Sequence, residues 1–148
     1  MKYTDLLEHP EGGRYLEIYR SATAVSVNRK TRTALTHIYF SLEPHEVRRF
    51  HRVSNDEVWN LYQGDGLYLY QWDGSSSTVD SIELSVQSMN FCHVIPAGYW
   101  QAAVPMARRV LVGCSVAPGL EFADFKLIDP ESQTARQLLT LKPDLERL

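Results

Sequence analysis

The segment FHRVSNDEVWNLYQG, residues Phe50 to Gly64, decides the fold class of this chain. It contains two short runs rich in aromatic and β-branched residues, Phe50 to Val53 and Glu57 to Tyr62, on either side of a polar stretch. This pattern predicts two short strands around a turn. The Gly-Asp-Gly sequence that follows predicts a second tight turn, which leads into a third strand over Leu67 to Trp72. Three strands within so short a segment indicate a β-rich protein.

The same pattern of short, evenly spaced strands extends in both directions. It predicts further strands over Tyr15 to Arg20, Ala34 to Leu42, Ile82 to Val86, Phe91 to Ile95, Trp100 to Val104 and Val110 to Val116. Helix signals are confined to the two ends. Thr4 is the predicted cap of a short helix over Asp5 to Leu7, and Asp129 and Pro130 begin a predicted C-terminal helix that packs outside the strands. We therefore predict an all-β sandwich or jelly roll with short N-terminal and C-terminal helices.

The length of the chain favours one domain spanning residues 1 to 148. The net charge of −3 provides no field that would attract nucleic acid. No apolar run approaches the roughly 18 residues of a membrane span, and the N-terminus lacks a signal-peptide pattern. We expect a cytoplasmic protein with no nucleic-acid or membrane partner. Cys92 and Cys114 are too few for a disulfide framework, and we expect both to be buried thiols.

The central segment resembles the first sequence motif of the cupins, G-x5-HxH-x3-4-E-x6-G. His51 falls on the first histidine of that motif, Glu57 on its glutamate and Gly64 on its closing glycine. Val53 stands where the second histidine belongs, and the leading glycine is missing.

The second cupin motif, G-x5-PxG-x2-H-x3-N, is matched by Pro96 and Gly98, but Gln101 replaces its histidine. Cupins that bind a metal use three histidines and one glutamate, a ligand set that suits iron, manganese, nickel or zinc. Because Val53 cannot coordinate a metal and Gln101 offers only a weak amide oxygen, we predict no metal and no cofactor.

Four longer blocks resemble the small uncharacterised cupins of the cupin-5 type, a domain of unknown function. They are HPEGGRYLEIYRS (His9 to Ser21), the central segment, IPAGYWQAA (Ile95 to Ala103) and LVGCSVAPGLEFADF (Leu111 to Phe125). The resemblance covers nearly the whole chain. It implies a cupin double-stranded β-helix, which is a jelly-roll barrel, and a homodimer, but no established activity. Asn60 departs from the histidine expected there in many relatives.

A site without a metal has two interpretations. His51 beside Glu57 would form a carboxylate-oriented imidazole that abstracts a proton next to a carbonyl, with Tyr39 or another phenol as the proton donor. Alternatively, His51 and Glu57 only satisfy each other's hydrogen bonds inside a barrel that has no catalytic activity.

The block Ile95 to Ala103 is also similar to a segment of the form IPxGFAHGF in jelly-roll sugar-nucleotide epimerases. That similarity implies His51 as the base and an arginine that binds phosphate. Arg20 is the better candidate, because Arg52 is adjacent to His51 and should point to the opposite face of its strand. Glu17 and Arg20 would close over the mouth of the barrel. The predicted ligand-binding residues are Arg20, Glu17, Trp59 and Gln101.

Three functions remain open from the sequence. The first is a metal-independent cupin that binds a sugar-like or anionic metabolite and epimerises or isomerises it. The second is a non-catalytic cupin that binds or senses a small molecule. The third is a metal-dependent dioxygenase or isomerase that uses substituted ligands.

Overall fold

The computed structural model describes residues 2–148, which form two facing antiparallel sheets and a helix outside them. The strands are β1 (Leu7–Glu8), β2 (Arg14–Arg20), β3 (Ala24–Val27), β4 (Lys30–Thr33), β5 (Thr36–Leu42), β6 (Arg48–Val53), β7 (Asp56–Gln63), β8 (Gly66–Trp72), β9 (Asp80–Ser85), β10 (Cys92–Ile95), β11 (Trp100–Pro105), β12 (Val110–Ala117) and β13 (Phe125–Leu127). The helical segments are α1 (Gln133–Leu141) and the 3-10 turns Tyr3–Asp5, Phe122–Asp124 and Pro143–Leu145.

The chain passes repeatedly from one sheet to the other. Six strands form one sheet in the order β1-β2-β5-β12-β7-β10, and five form the other in the order β13-β6-β11-β8-β9. Strands β3 and β4 pair as a separate hairpin. Neighbours in sequence such as β6 and β7 belong to different sheets, which is the arrangement of a jelly roll. The predicted all-β jelly roll is confirmed, although the sheets do not join into a continuous barrel.

The space between the sheets is filled by apolar side chains from both. Phe40, Trp59 and Val112 of the six-stranded sheet meet Leu69 and Leu84 of the five-stranded sheet, and all five are buried. Since successive residues of a strand point to opposite faces, this core uses every second residue of each strand.

A second apolar cluster lies on the outer face of the five-stranded sheet. There Leu138 of α1 packs with Phe50, Trp72 and Trp100. The C-terminal helix therefore packs outside the sheets, as the sequence predicts.

A β-bulge in β6 changes which of its side chains face the interior. Gln101 of β11 pairs with His51, whereas Ala103 pairs with Arg48, so three steps along β6 match two along β11. The extra residue reverses the alternation within β6. Arg48 and His51, three positions apart, consequently share the interior face.

A second bulge has the same effect in β2. Glu17 pairs with Ile38, and the register against β5 shifts before Tyr19. Arg20 then pairs with Thr36. Glu17 and Arg20 therefore lie on one face, as the predicted closure over the barrel mouth requires.

The C-terminal helix begins later than the sequence suggests. Its N-cap is Ser132, whose hydroxyl accepts a hydrogen bond of 3.1 Å from the backbone N–H of Ala135. Asp129, the predicted cap, accepts instead from the backbone N–H of Glu131 in the preceding turn.

Within residues 2–148, no helix has the length and apolar character needed to cross a membrane.

The N-terminal helix and one cysteine also differ from expectation. The helix predicted over Asp5 to Leu7 is a single 3-10 turn at Tyr3–Asp5, because Leu7 belongs to β1 and pairs with Tyr15 of β2. Cys114 is buried as predicted, but Cys92 is exposed because its strand, β10, forms an edge of the six-stranded sheet. The prediction of a buried thiol was wrong for Cys92.

Substitution of Gly12 tests the turn that leads into β2. Gly12 has a φ of +97°, and a Cβ there would lie 2.2 Å from the carbonyl oxygen of Val47. Gly98 has a φ of +80°, but its Cβ would meet nothing within 4 Å. A left-handed backbone costs alanine on the order of 1–2 kcal/mol. Urea unfolding should show a loss of about that size for Gly98→Ala and a clearly larger loss for Gly12→Ala. Equal losses would contradict the close approach to Val47.

Candidate functional site

A cavity of about 230 Å³ lies between the two sheets. Its walls are largely apolar, with contributions from Tyr15, Ile38, Val53, Val116 and Phe125. Charged side chains lie at both ends: buried groups form an inner floor, and half-exposed groups form a rim at the opening. The cavity is therefore a largely apolar space, open at one end, with fixed charges at its two ends.

Arg48 lies at the centre of the floor and is almost fully buried. Its Nε donates a hydrogen bond of 2.6 Å to Oε2 of Glu11, and its Nη2 lies 3.7 Å from Oε1 of Glu57. The guanidinium carbon lies 4.3 Å from the ring centroid of Phe40 and 4.8 Å from that of Trp59. Two carboxylates and two aromatic faces thus surround a permanent positive charge.

The charged groups of the floor stabilise one another's ionised forms. Burial alone would raise the pKa of the Glu11 carboxyl, but Arg48 and His51 outweigh that effect and hold this pKa well below its usual range. Burial alone would lower the pKa of Arg48, but Glu11 and Glu57 raise it above its usual value. Glu11 and Arg48 are therefore both ionised at neutral pH.

His51 supports the floor from behind. Its Nδ1 lies 2.8 Å from Oε2 of Glu11 and 2.7 Å from the carbonyl oxygen of Arg49, so Nδ1 carries a hydrogen toward two acceptors. Its ring packs on Phe125, and among residues 2–148 its buried Nε2 has no hydrogen-bond partner. His51 is not part of the cavity lining. The carboxylate that orients this imidazole is Glu11 and not Glu57, the partner predicted from the sequence.

Glu57 lines the cavity and is held by Gln101. The Nε2 of Gln101 donates a hydrogen bond of 2.7 Å to Oε2 of Glu57, and its Oε1 accepts one of 2.9 Å from Nε1 of Trp59. An indole nitrogen only donates, so Trp59 fixes the amide with its NH₂ group toward the carboxylate. Trp59 and Gln101, predicted as ligand contacts, are not part of the lining and instead position Glu57.

The rim is built around Arg20. Both its Nε and Nη2 donate hydrogen bonds of 2.9 Å to Glu17, and its Nη1 donates one of 2.9 Å to Glu121. The carbonyl oxygen of Leu120 accepts a further bond of 3.2 Å. Glu17 and Arg20 both line the cavity, so the structure brings these two predicted residues together at its mouth.

Tyr39 lies on the opposite side of the six-stranded sheet from the cavity. Its neighbours Ile38 and Phe40 point inward, and the Tyr39 ring packs edge-on against Tyr62 at 5.8 Å on the outer face. Strand alternation therefore separates Tyr39 from Glu57. The structure therefore does not support Tyr39 as a proton donor to a ligand in the cavity.

The predicted direction of Arg52 on β6 is observed. Arg52 points away from the interior and lies over the ring of Trp100 at 5.1 Å. Trp100 itself faces α1 rather than the core that contains Gln101.

Sequence reasoning missed Glu11, Arg48 and His9, which all line the cavity. Regular alternation would place Arg48 on the face opposite His51, and only the bulge in β6 brings it inward. Glu11 precedes two glycines in a turn, where a charged residue is ordinarily exposed. The HPEGG sequence at the start of the first family-like block marked this region, but nothing in it indicated contact with β6.

The residues at the metal-motif positions do not fit a transition-metal site. Val53 has no donor atom, and both polar atoms of the Gln101 amide are engaged. The Nδ1 of His51 is directed at Glu11, and Glu57 lies beside a guanidinium cation. Among residues 2–148, no group of three or more His, Cys, Asp or Glu side chains is arranged to hold a metal ion.

The free energy of unfolding should depend on His9 in mildly acidic solution. Burial and the charge of Arg48 lower the pKa of His9 from 6.5 to about 4. Its Nδ1 accepts a hydrogen bond of 3.2 Å from the backbone N–H of Glu11, which requires the unprotonated ring. For the same reason, the 3.5 Å approach of Nδ1 to the Glu11 carboxylate is not an ion pair at neutral pH.

As pH falls from 6.5 toward 4, the unfolded chain takes up a proton at His9 that the folded chain does not. The stability gained from the neutral ring is lost over that range, by about 3 kcal/mol for the whole shift. His9→Asn keeps an acceptor oxygen near the Nδ1 position and does not titrate. Urea unfolding at several pH values gives the free energy of unfolding as a function of pH. This free energy should fall less steeply with decreasing pH in His9→Asn than in wild type. The surface variant His45→Asn should keep the wild-type pH dependence. Equal pH dependence in all three would contradict the assignment.

Two solved structures are similar over nearly the whole chain. A hypothetical protein from Leishmania major superposes with a TM-score of 0.81 at 27% identity, covering 97% of this chain and 90% of that one. A protein from Shewanella oneidensis superposes with a TM-score of 0.78 at 30% identity, covering 99% of this chain and 89% of its own. Oxalate decarboxylase from Bacillus subtilis is similar in fold alone, with a TM-score of 0.61 at 12% identity over 86% of this chain and 31% of its own. No curated protein matches the sequence.

The family model described as Cupin superfamily (DUF985) matches residues 1–128. That range contains both sheets and every residue of the cavity lining. The jelly-roll topology agrees with the match. We conclude that this chain belongs to the DUF985 family of the cupin superfamily.

Proposed function

We propose that this chain is a metal-independent cupin that binds a small molecule in the cavity between its sheets. The observation that carries the proposal is a charged floor fixed before any ligand arrives, beneath apolar walls. A volume of about 230 Å³ is below the roughly 300–1,000 Å³ of sites for drug-sized molecules. The ligand is therefore a small metabolite.

Glu57 supplies the polar anchor for that ligand. One carboxylate oxygen, Oε2, is taken by Gln101. The other, Oε1, is 3.7 Å from Arg48, beyond hydrogen-bond distance, and no hydrogen bond from residues 2–148 reaches it. Because Glu57 belongs to the cavity lining, this accessible acceptor favours a ligand that brings a hydroxyl or amine hydrogen. A sugar-like molecule meets this requirement.

An anionic ligand is less well matched to the cavity. The two arginines of the lining, Arg20 and Arg48, are each already beside two carboxylates. A phosphate at Arg20 would compete with the carboxylates of Glu17 and Glu121 for the same guanidinium and would be repelled by them. The epimerase-like phosphate site suggested by the sequence therefore has less support than a site for a ligand without negative charge.

Filling the cavity should abolish binding. Thermal shift with a panel of small sugars, polyols and amines should raise the Tm of wild type, because a ligand that binds only the folded state stabilises it. Ile38→Trp should remove that response by occupying the space, whereas Leu111→Trp, whose side chain points away from the cavity, should retain it. EDTA should change neither the Tm nor the response. The proposal fails if the shift survives in Ile38→Trp or is lost in EDTA.

Proton transfer by Glu57 is a second candidate function. Gln101 and Arg48 hold its carboxylate against the cavity, which is a suitable position for a general base. The carboxylate would take a proton from a carbon next to a carbonyl, leaving an enolate and a neutral carboxylic acid, and then return the proton. His51, which contacts Glu11 from outside the lining, would act as a positioning residue.

Deuterium exchange distinguishes this candidate from binding alone. For a bound ligand with a C–H next to a carbonyl, wild-type protein in D₂O should incorporate deuterium at that carbon. Glu57→Gln should lose the exchange, whereas Glu146→Gln on the surface should keep it. Absence of exchange in wild type, measured by NMR of the ligand, would support a non-catalytic binding or sensing protein.

A further inference from the structure

Negative charge exceeds positive charge in the cavity lining. The lining contains four carboxylates, of Glu11, Glu17, Glu57 and Glu121, and two guanidinium groups, of Arg20 and Arg48. His9 adds no charge at neutral pH, because burial and Arg48 lower its pKa to about 4. His51 lies behind the floor and outside the lining. The excess of two carboxylates is divided evenly, with one at each end of the cavity.

The burial of these carboxylates strengthens the negative electrostatic potential inside the cavity. Glu11 and Glu57 are at most 2% exposed, so water screens them little. Apolar walls between the two charged ends concentrate the field inside the cavity. A cation entering this space would gain electrostatic energy, and an anion would lose it.

Aromatic rings in the lining add to the attraction for a cation that reaches their faces. The rings of Tyr15, Phe122 and Phe125 line the cavity, and Phe122 is 72% exposed beside the rim. Aromatic faces attract alkylammonium groups, and more strongly where water is excluded. Below them, Oε1 of Glu57 is the acceptor without a donor.

From these observations we infer that the ligand of this cavity is a small organic cation, a protonated primary amine whose apolar part lies against the walls and whose N–H groups reach Glu57. The inference rests on the proposed binding function and names the ligand class of the same cavity.

Three probes of nearly equal size and shape test the charge directly: cyclohexylammonium, cyclohexanol and cyclohexanecarboxylate. Because their rings fill the cavity alike, differences in affinity report the charge and donors of the substituent. Isothermal titration calorimetry at low ionic strength should show cyclohexylammonium binding at least about tenfold more tightly than cyclohexanol. Cyclohexanecarboxylate should bind most weakly. Added salt should reduce the preference for the amine.

Variants at each end of the cavity locate the effect. Glu57→Gln removes the floor acceptor's charge, and Glu121→Gln removes one rim charge while leaving the buried floor intact. Both should weaken the binding of cyclohexylammonium several-fold and leave that of cyclohexanol nearly unchanged. Glu146→Gln, outside the cavity, should change neither. If Glu57→Gln does not fold, the half-exposed Glu121 still provides the test.

The outcomes separate the two proposals. Equal affinities for the amine and the alcohol, or tightest binding of the carboxylate, would overturn the inference of a cationic ligand and leave the cavity as a binding site. An amine preference that survives in Glu121→Gln and Glu57→Gln would also overturn it. If none of the three probes binds wild type, the inference of a cationic ligand with an apolar part is contradicted, whereas the binding function is decided separately by the thermal-shift panel and Ile38→Trp.

Discussion

The buried guanidinium of Arg48 requires negative charge around it, and that requirement joins parts of the chain that are far apart in sequence. Glu11 reaches it from the turn before β2, and Glu57 reaches it from β7 in the opposite sheet. Leaving such a charge without one of its carboxylates costs about 3–5 kcal/mol. The turn, the two sheets and the cavity floor are consequently fixed as one unit. His51 and Gln101 then add hydrogen bonds that orient the two carboxylates.

Local pattern was enough to find the strands. All nine predicted strands are present, because alternation and turn residues act over a few positions. The short strands β1, β3, β4 and β13 were missed because two to four residues carry too little pattern. Glu57 and Trp59, two positions apart, share the interior face because β7 alternates regularly there. The inward position of Arg48 does not follow from regular alternation, because it depends on a bulge formed against β11, and the role of Glu11 depends on a contact 37 residues along the chain.

The replacement of two expected metal ligands has a structural counterpart. Gln101 stands where the second cupin motif has histidine, and its amide connects the Trp59 indole to the Glu57 carboxylate. Val53 contributes an apolar wall. Much of the polar network at the motif positions thus binds side chains to one another. The fold shared with oxalate decarboxylase does not predict this arrangement, because function resides in the side chains placed on a fold.

The segment from His9 to Gly13 belongs to neither sheet, yet it supplies His9 and Glu11 to the cavity lining. Some of the polar side chains that line the cavity therefore come from a short loop rather than from the strands. Loops tolerate changes in sequence and length better than packed strands do. Exchange of these few residues between relatives offers a route by which one jelly roll acquires a new ligand without rebuilding its core. Such an exchange would have to preserve a carboxylate for Arg48 and the glycine that lies against Val47, and both requirements limit the permitted sequences.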